Sequence, residues 1–196
     1  ETFYNKMISA GIDEVGRGCL AGPVVVASVI LPDTVEDQYT HLLQQVRDSK
    51  KLSEKKRVQL NEFIKFIAID YAIVFIENNV IDDINIRNAT LQGMQQAYKN
   101  LNVTPDHVYV DGDFYTPIES EKYSCIPQGD DKIVAISAAS IIAKVARDTY
   151  CIDVMHKEFP HYGWDKNKAY GTNAHYAAIQ QYGITSYHRR SFNLKV

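Results

Sequence analysis

Asp13 and Glu14 are adjacent carboxylates at the end of an apolar run, and Gly16-Arg17-Gly18 follows them before a second run, Val24-Val-Val-Ala-Ser-Val-Ile30. His107-Val-Tyr-Val-Asp111 ends on a carboxylate in the same way. Acids at the carboxyl ends of strands carry more weight than acids elsewhere, because ligands of open α/β sheets bind there. Carboxylates gathered at one such edge repel one another unless a cation neutralises them, and hard oxygen donors select Mg²⁺ or Mn²⁺ over zinc. Capping of loops is the competing, purely structural use of the same residues. Gly129-Asp130-Asp131-Lys132, a polar turn ahead of a long helix, offers a third acid, but spacing alone does not choose between Asp130 and Asp131. Ser140, Lys144 and Asp148 recur every four residues, which predicts a helix-face Lys144–Asp148 pair.

The elements that must position these acids follow from periodicity and punctuation. Residues 7–12 and 24–31 read as strands, the second so β-branched that burial on both faces is expected. After Pro32 a helix-compatible polar stretch runs to Val46, and Ser53 caps a helix to about Phe66, with Val58, Phe63 and Ile67 as its inner stripe. Ile69–Ile76 predicts a strand, Ile84–Leu101 one amphipathic helix and His107–Asp111 a short strand. The Ala-rich segment around Ser137-Ala-Ala-Ser is helical in period and runs towards Phe159, where Pro160 breaks it. A loop over 161–172 and a short helix over Asn173–Tyr182 complete the chain. Strands interleaved with helices, without repeats or low-complexity tracts, imply an α/β layer fold with a mixed sheet.

With 196 residues, 45% hydrophobic and 23% charged, the chain reads as one soluble domain with a small helical appendage. No apolar run approaches the roughly 20 residues that cross a bilayer, so no membrane association is expected. The net charge of −3 argues against coating nucleic acid by bulk attraction, though Lys50-Lys51, Lys55-Lys56-Arg57, Lys166 with Lys168, and Arg189-Arg190 are local basic clusters. Cys19, Cys125 and Cys151 lack metal-type spacing and are odd in number, which suits a reducing cytoplasm. No secretory signal is visible, and the missing initiator methionine reads as trimming or tagging.

Six ordered motifs carry a resemblance over roughly residues 8–192. Ile12-Asp-Glu-Val-Gly-Arg-Gly with Leu20-Ala-Gly-Pro-Val, Asp48-Ser-Lys-Lys-Leu-Ser53, Val110-Asp-Gly112, Ser137 through Asp148, Lys168-Ala-Tyr-Gly-Thr172 and His188-Arg-Arg-Ser-Phe192 are similar to the motif series of type 2 ribonucleases H, specifically bacterial ribonuclease HII. The resemblance implies a ribonuclease H-like fold: a central mixed five-stranded sheet flanked by helices, with a C-terminal helical extension over about 160–196. It implies a carboxylate quartet of Asp13, Glu14, Asp111 and Asp130, with Asp131 as neighbour rather than ligand. It further implies a metal-dependent endoribonuclease that hydrolyses RNA/DNA hybrids, and duplex DNA containing ribonucleotides, on the 5′ side of a ribonucleotide. Such chemistry leaves 3′-hydroxyl and 5′-phosphate ends and serves ribonucleotide and primer removal in repair and replication. Two Mg²⁺ or Mn²⁺ ions about 4 Å apart suit this chemistry, with Asp13 bridging them. A monomer is the default.

The same resemblance gives the glycines a use. Gly16 and Gly18 let the backbone approach a sugar-phosphate and aim amides at the 2′-hydroxyl, with a plain tight turn as the alternative. Arg17 and Lys50 are expected to contact phosphate, with Arg189 and Arg190 as weaker candidates. Tyr170 resembles the tyrosine that stacks beside the ribonucleotide, but Ala169 stands where glycine is usual, and Cys19 where proline is frequent. A positive φ at Ala169 would cost something of the order of 1 kcal/mol. Two other classes compete: a non-catalytic hybrid-binding protein, disfavoured by the intact acids, and a DNA nuclease or strand-transfer enzyme on the same sheet, disfavoured by Gly-Arg-Gly and Tyr170.

Overall fold

The computed structural model describes residues 7–113 and 123–196. Strand β1 (Ser9–Val15) pairs antiparallel with β2 (Val24–Ile30), setting Asp13 opposite Ala27. All of β2 is buried, as its apolar run predicts, because alternate residues enter different cores: Val24 and Val26 on one face, Val25, Ala27 and Val29 on the other. Helix α1 (Thr40–Arg47) leads to α2 (Glu54–Ile67), where Ser53 Oγ accepts from the Lys56 amide at 3.2 Å as the expected cap. The inner stripe of α2 differs from the expectation at one position. Leu60, Phe63 and Ile64 are buried and Ile67 packs behind them, whereas Val58 is 48% exposed, since two residues before Leu60 is the far side of a 3.6-residue turn.

Strand β3 (Asp70–Ile76) lies antiparallel to β2. The helix expected over 84–101 is α4 (Ile86–Lys99), and a further short helix that the sequence did not announce, α3 (Asn78–Ile84), precedes it. Asn85 separates them at φ 70°, and its side chain accepts from the Asn88 amide at 2.9 Å to start α4. Strand β4 (His107–Asp111) matches its predicted bounds, and β5 (Tyr123–Ile126) completes a sheet of order β3-β2-β1-β4-β5. The β1–β4 and β4–β5 pairs are parallel and the other two antiparallel, so this is the mixed five-stranded sheet that was expected.

Helix α5 (Val134–Tyr150) continues through a π-helical stretch, Cys151–Met155, into α6 (His156–Glu158), and ends ahead of Pro160. Its first turn lies directly on β1. A Cβ at Gly11 would come within 2.2 Å of the Ala135 carbonyl carbon, so glycine is what permits this approach. With α2, α5 buries Val25, Ile64, Ile141 and Ile142 on one sheet face, while α3 and α4 cover Ile12, Ile76, Met94 and Val110 on the other. Each such side chain contributes about 2 kcal/mol by leaving water. Helices α7 (Trp164–Asn167) and α8 (Asn173–Tyr182) belong to a third cluster that joins Trp164, Ala169, Ile179 and Leu194 to Cys19 and Ala21. Thus the segment expected to be a loop over 161–172 contains one helical turn, and it is packed against the chain after β1. No helix among the described residues is long and apolar enough to cross a membrane.

Candidate active site

The parallel register of β1 and β4 sets Ile12 beside Val110, so Asp13 and Asp111 leave the carboxyl ends of neighbouring strands together. β1 runs beyond the residue 12 expected from sequence because Asp13, Glu14 and Val15 still pair with β2. One carboxylate oxygen from each of Asp13, Glu14 and Asp111 lies within 4.8 Å of the others. Asp13 is only 5% exposed. Its Oδ1 accepts the Glu14 amide at 2.7 Å, and Asp111 Oδ1 accepts the Gly129 amide at 2.7 Å. Burial, reinforced by the charges of Glu14 and Asp111, holds the Asp13 carboxyl well above the usual carboxylate range. Burial also raises Glu14, against the opposing pull of Arg17, whose Nη1 lies 3.8 Å from Glu14 Oε1.

Glu14 Oε2 is buried and has no hydrogen-bond partner. A buried polar oxygen without a donor is costly, and a hard divalent cation among these three acids would remove both that cost and their mutual repulsion. The donor set, all carboxylate oxygen, is the one that suits Mg²⁺ or Mn²⁺.

Asp130 stands just outside this trio. Its carboxyl is raised by burial and by the charge of Asp111, and its amide points at Asp111 Oδ1 at 3.4 Å. The two acids that spacing could not separate differ in placement. The Asp130 side chain is 19% exposed and feels the trio, whereas Asp131 is 47% exposed and binds Lys50 Nζ at 2.6 Å. Lys50 also lies 3.6 Å from Asp130, so in this structure it bridges acids at the rim.

An open cleft of about 190 Å³ adjoins the acids, lined by Glu14, Ser49, Lys50, Asp130, Ser140 and Lys144. Lys144 makes the expected pair with Asp148 at 2.9 Å. It also lies 5.4 Å from the centre of the Tyr170 ring, a cleft role the sequence reading did not give it; the four-residue spacing with Ser140 was the available signal.

The two glycines of Gly16-Arg17-Gly18 have different reasons. Gly16 adopts φ 90°, and a Cβ there would lie 2.3 Å from Arg147 Nε, so packing and conformation both demand glycine. A Cβ on Gly18 would meet nothing within 4 Å, so no packing contact among the described residues demands glycine there. The Arg17 side chain is 40% exposed beside Glu14. Behind the loop, the buried Arg147 guanidinium donates to the carbonyls of Pro23 (2.9 Å), Ala21 (2.9 Å) and Lys168 (2.7 Å), tying the loop to the segment that carries Tyr170. Two residues assigned to surface basic clusters are in fact interior. Arg189 is fully buried, unlike exposed Arg190, and Lys168 is 9% exposed, with its Nζ bonded to the Asp165 carbonyl.

Tyr170 is 38% exposed beside Lys144, which lines the cleft, and burial together with the adjacent Cys19 thiol pushes its hydroxyl up to about 12, keeping it protonated. Ala169 does adopt a positive φ, 68°, as does Lys168 at 51°. Its carbonyl accepts the Leu20 amide at 2.9 Å and its amide donates to Asn167 Oδ1 at 2.8 Å. The left-handed conformation costs about 1 kcal/mol, but the alanine methyl is fully buried in the third cluster, which returns roughly 0.8 kcal/mol. Alanine in place of glycine is therefore close to neutral for stability.

Comparison with known proteins gives a consistent result. The family model described as Ribonuclease HII matches residues 10–195. A curated Ribonuclease HII of Christiangramia forsetii is 46% identical over 193 residues, covering 98% of this chain and 94% of that protein. Among solved structures, ribonuclease H2 of Pyrococcus horikoshii OT3 is similar at TM-score 0.78 and 25% identity, over 96% of this chain and 95% of that one. The ribonuclease HII in a PCNA complex from Archaeoglobus fulgidus is similar at TM-score 0.79 and 28% identity, over 95% of each chain.

Proposed function

The chain belongs to the ribonuclease HII family and is a metal-dependent endoribonuclease of the ribonuclease H class; from that premise we propose that it hydrolyses the phosphodiester 5′ of ribonucleotides in RNA/DNA hybrids and in duplex DNA. The observation that carries the reading is the trio of Asp13, Glu14 and Asp111, with Asp13 buried and a donor-less Glu14 Oε2, beside a cleft edged by Lys50, Ser140 and Lys144.

Asp13, Glu14, Asp111 and Asp130 would hold two divalent ions, Mg²⁺ or Mn²⁺. When bound, these ions supply Lewis-acid activation of water and neutralise charge on the leaving oxygen, giving a 3′-hydroxyl and a 5′-phosphate. Asp13, whose carboxyl is raised by burial and by the charges of Glu14, Asp111 and Asp130, would contribute to holding both ions. Arg17 neutralises a phosphate beside Glu14. Lys50 exchanges its contact with Asp131 for a backbone phosphate when substrate enters; both partners are largely exposed, so little stability is lost. The Gly16–Gly18 backbone reads the 2′-hydroxyl, and the Tyr170 ring, steadied by Lys144, stacks on the adjoining sugar. We read the chain as one catalytic domain in which residues 160–196 contact substrate, working as a cytoplasmic monomer in ribonucleotide and primer removal.

A labelled duplex with a single ribonucleotide tests this reading. With Mg²⁺ or Mn²⁺ it is cut once, 5′ of the ribose, and neither chelator-treated enzyme nor an all-deoxy duplex gives product; efficient cutting of the all-deoxy duplex would favour a DNA nuclease. Tyr170→Ala is expected to lower kcat/KM at the single ribonucleotide by about fivefold to a hundredfold, the scale of aromatic stacking worth about 1–3 kcal/mol, whereas Tyr170→Phe retains most of it. Equal rates for wild type and Tyr170→Ala would remove Tyr170 from the site.

A further inference from the structure

Arg189 is buried completely, yet among the described residues no carboxylate bonds its guanidinium. It donates instead to three backbone carbonyls of one loop: Gly16 (Nη2, 2.7 Å), Arg17 (Nη1, 2.9 Å) and Gly22 (Nε, 3.0 Å). Desolvating a cation against neutral carbonyls is unfavourable compared with packing an apolar side chain of the same size. What a guanidinium offers in return is a rigid planar fork of donors, which fixes the direction of each carbonyl it binds.

That direction has a consequence on the other side of each peptide. In a trans peptide the C=O of one residue and the N–H of the next point opposite ways, and there are no cis peptides among the described residues. Turning the Gly16 and Arg17 carbonyls inward therefore turns the amides of Arg17 and Gly18 away from the interior, towards the side where a Gly18 Cβ would meet nothing. Successive amides aimed outward make a concave donor pair suited to an electronegative oxygen.

Arg189 is itself clamped. Its amide donates to the Leu20 carbonyl at 2.8 Å, and His188 bridges to Ala21. Phe192 lies 5.1 Å from the guanidinium carbon, and the amides of Arg190 and Ser191 bind Asp82 of α3 at 3.0 and 2.9 Å. The C-terminal segment thus delivers a rigid fork to the back of the loop.

We propose that Arg189 is a positioning residue for ribose recognition, its guanidinium orienting the Gly16–Arg17 and Arg17–Gly18 peptides so that their amides meet the 2′-hydroxyl from the front. This rests on the reading of the Gly16–Gly18 backbone given above and adds the residue that sets its geometry.

The test is the ratio of Kd for an all-deoxy duplex to Kd for the same duplex with one ribonucleotide, measured by fluorescence anisotropy with Ca²⁺ replacing Mg²⁺ and the substrate confirmed intact on a gel. Lysine keeps the charge but loses the fork, so in Arg189→Lys the ratio is expected to fall at least tenfold towards one. The all-deoxy Kd and the Mn²⁺ affinity of the acids stay within about twofold of wild type. An unchanged ratio, or equal weakening on both duplexes, would show that Arg189 only braces the fold and would overturn the proposal. A wild-type ratio of one would instead overturn the reading of the glycine loop itself. Should Arg189→Lys fail to fold, Asp82→Ala answers in its place: it frees the chain beside Arg189 at a partly exposed site, and about a threefold lower ratio is expected. Retention of the full wild-type ratio there counts against the proposal.

Discussion

Asp13→Asn is expected to lower kcat/KM by at least about 10³-fold while making the metal-free protein more stable at neutral pH. Both effects come from one carboxylate. A ligand shared between divalent ions contributes several kcal/mol of transition-state charge stabilisation, and each 1.36 kcal/mol is a factor of ten in rate. Without metal the same group is buried among like charges, which holds its folded-state pKa above the ordinary value. A carboxyl raised in this way favours the fold fully only below its ordinary range near 4. That contribution is lost as pH rises through the folded-state value. Asparagine keeps the Oδ1 that accepts the Glu14 amide and carries no charge, so in chelator its melting temperature at pH 7 exceeds that of wild type. Added Mn²⁺ raises the melting temperature of wild type and not of the variant. Asp111→Asn shares the loss of activity. Near-normal turnover in either variant would refute the metal role.

The second large effect is acid lability centred on His175 and His188. The Thr185 amide donates to His188 Nδ1 at 2.8 Å, so the proton of that ring sits on Nε2 and is given to His175 Nε2 at 3.0 Å. His175 Nε2 also accepts Trp164 Nε1–H at 3.1 Å, and its Nδ1–H donates to the Tyr170 carbonyl at 3.0 Å. A proton added to His188 would set its Nδ1–H against the Thr185 N–H. Burial, with the neighbouring His175, therefore lowers His188 to about 4, and burial lowers His175 as well. Both rings are neutral in the fold and protonate once unfolded. The stability they contribute is complete above the ordinary value near 6.5 and is lost as pH falls through their lowered folded-state values, about 4 for His188. For His188, 1% exposed, the span from 6.5 to about 4 corresponds to about 3 kcal/mol, a large part of a typical 5–15 kcal/mol. Urea midpoints in chelator should fall over this interval, the His188 imidazole NMR signal should not titrate above pH 5, and that of His175 should titrate below the ordinary histidine range. Ordinary titration of either ring near 6.5 would contradict the tautomer assignment.

What was legible in the sequence were features with local causes. The end of β4 announced itself because its strand-forming run stops on Asp111, and β2 because both of its faces are apolar, whereas β1 continues past its acid to Val15 because it still has β2 to pair with. Asp130 needed the resemblance, since only the folded turn shows which of two adjacent acids faces the trio. Other features were hidden because their partners are remote in the chain. Arg189 reads as a surface charge until the carbonyls of Gly16 and Arg17 are seen around it, and nothing local marks Arg147 as interior. Helix α3 is short and buries a single residue, Ile81, so it carries little periodic signal ahead of α4. β5 is short and only half-buried along its length, so it carries little periodic signal of its own.

The central claim is that Asp13, Glu14 and Asp111 are held together to gather divalent cations. Anomalous diffraction from crystals soaked in Mn²⁺ with a ribonucleotide-containing duplex tests it most directly. The account predicts strong anomalous density in contact with oxygens of Asp13, Glu14 and Asp111, and its disappearance in Asp13→Asn crystals treated identically. Well-ordered acids with no such density in the wild-type complex, or undiminished density in the variant, would contradict it.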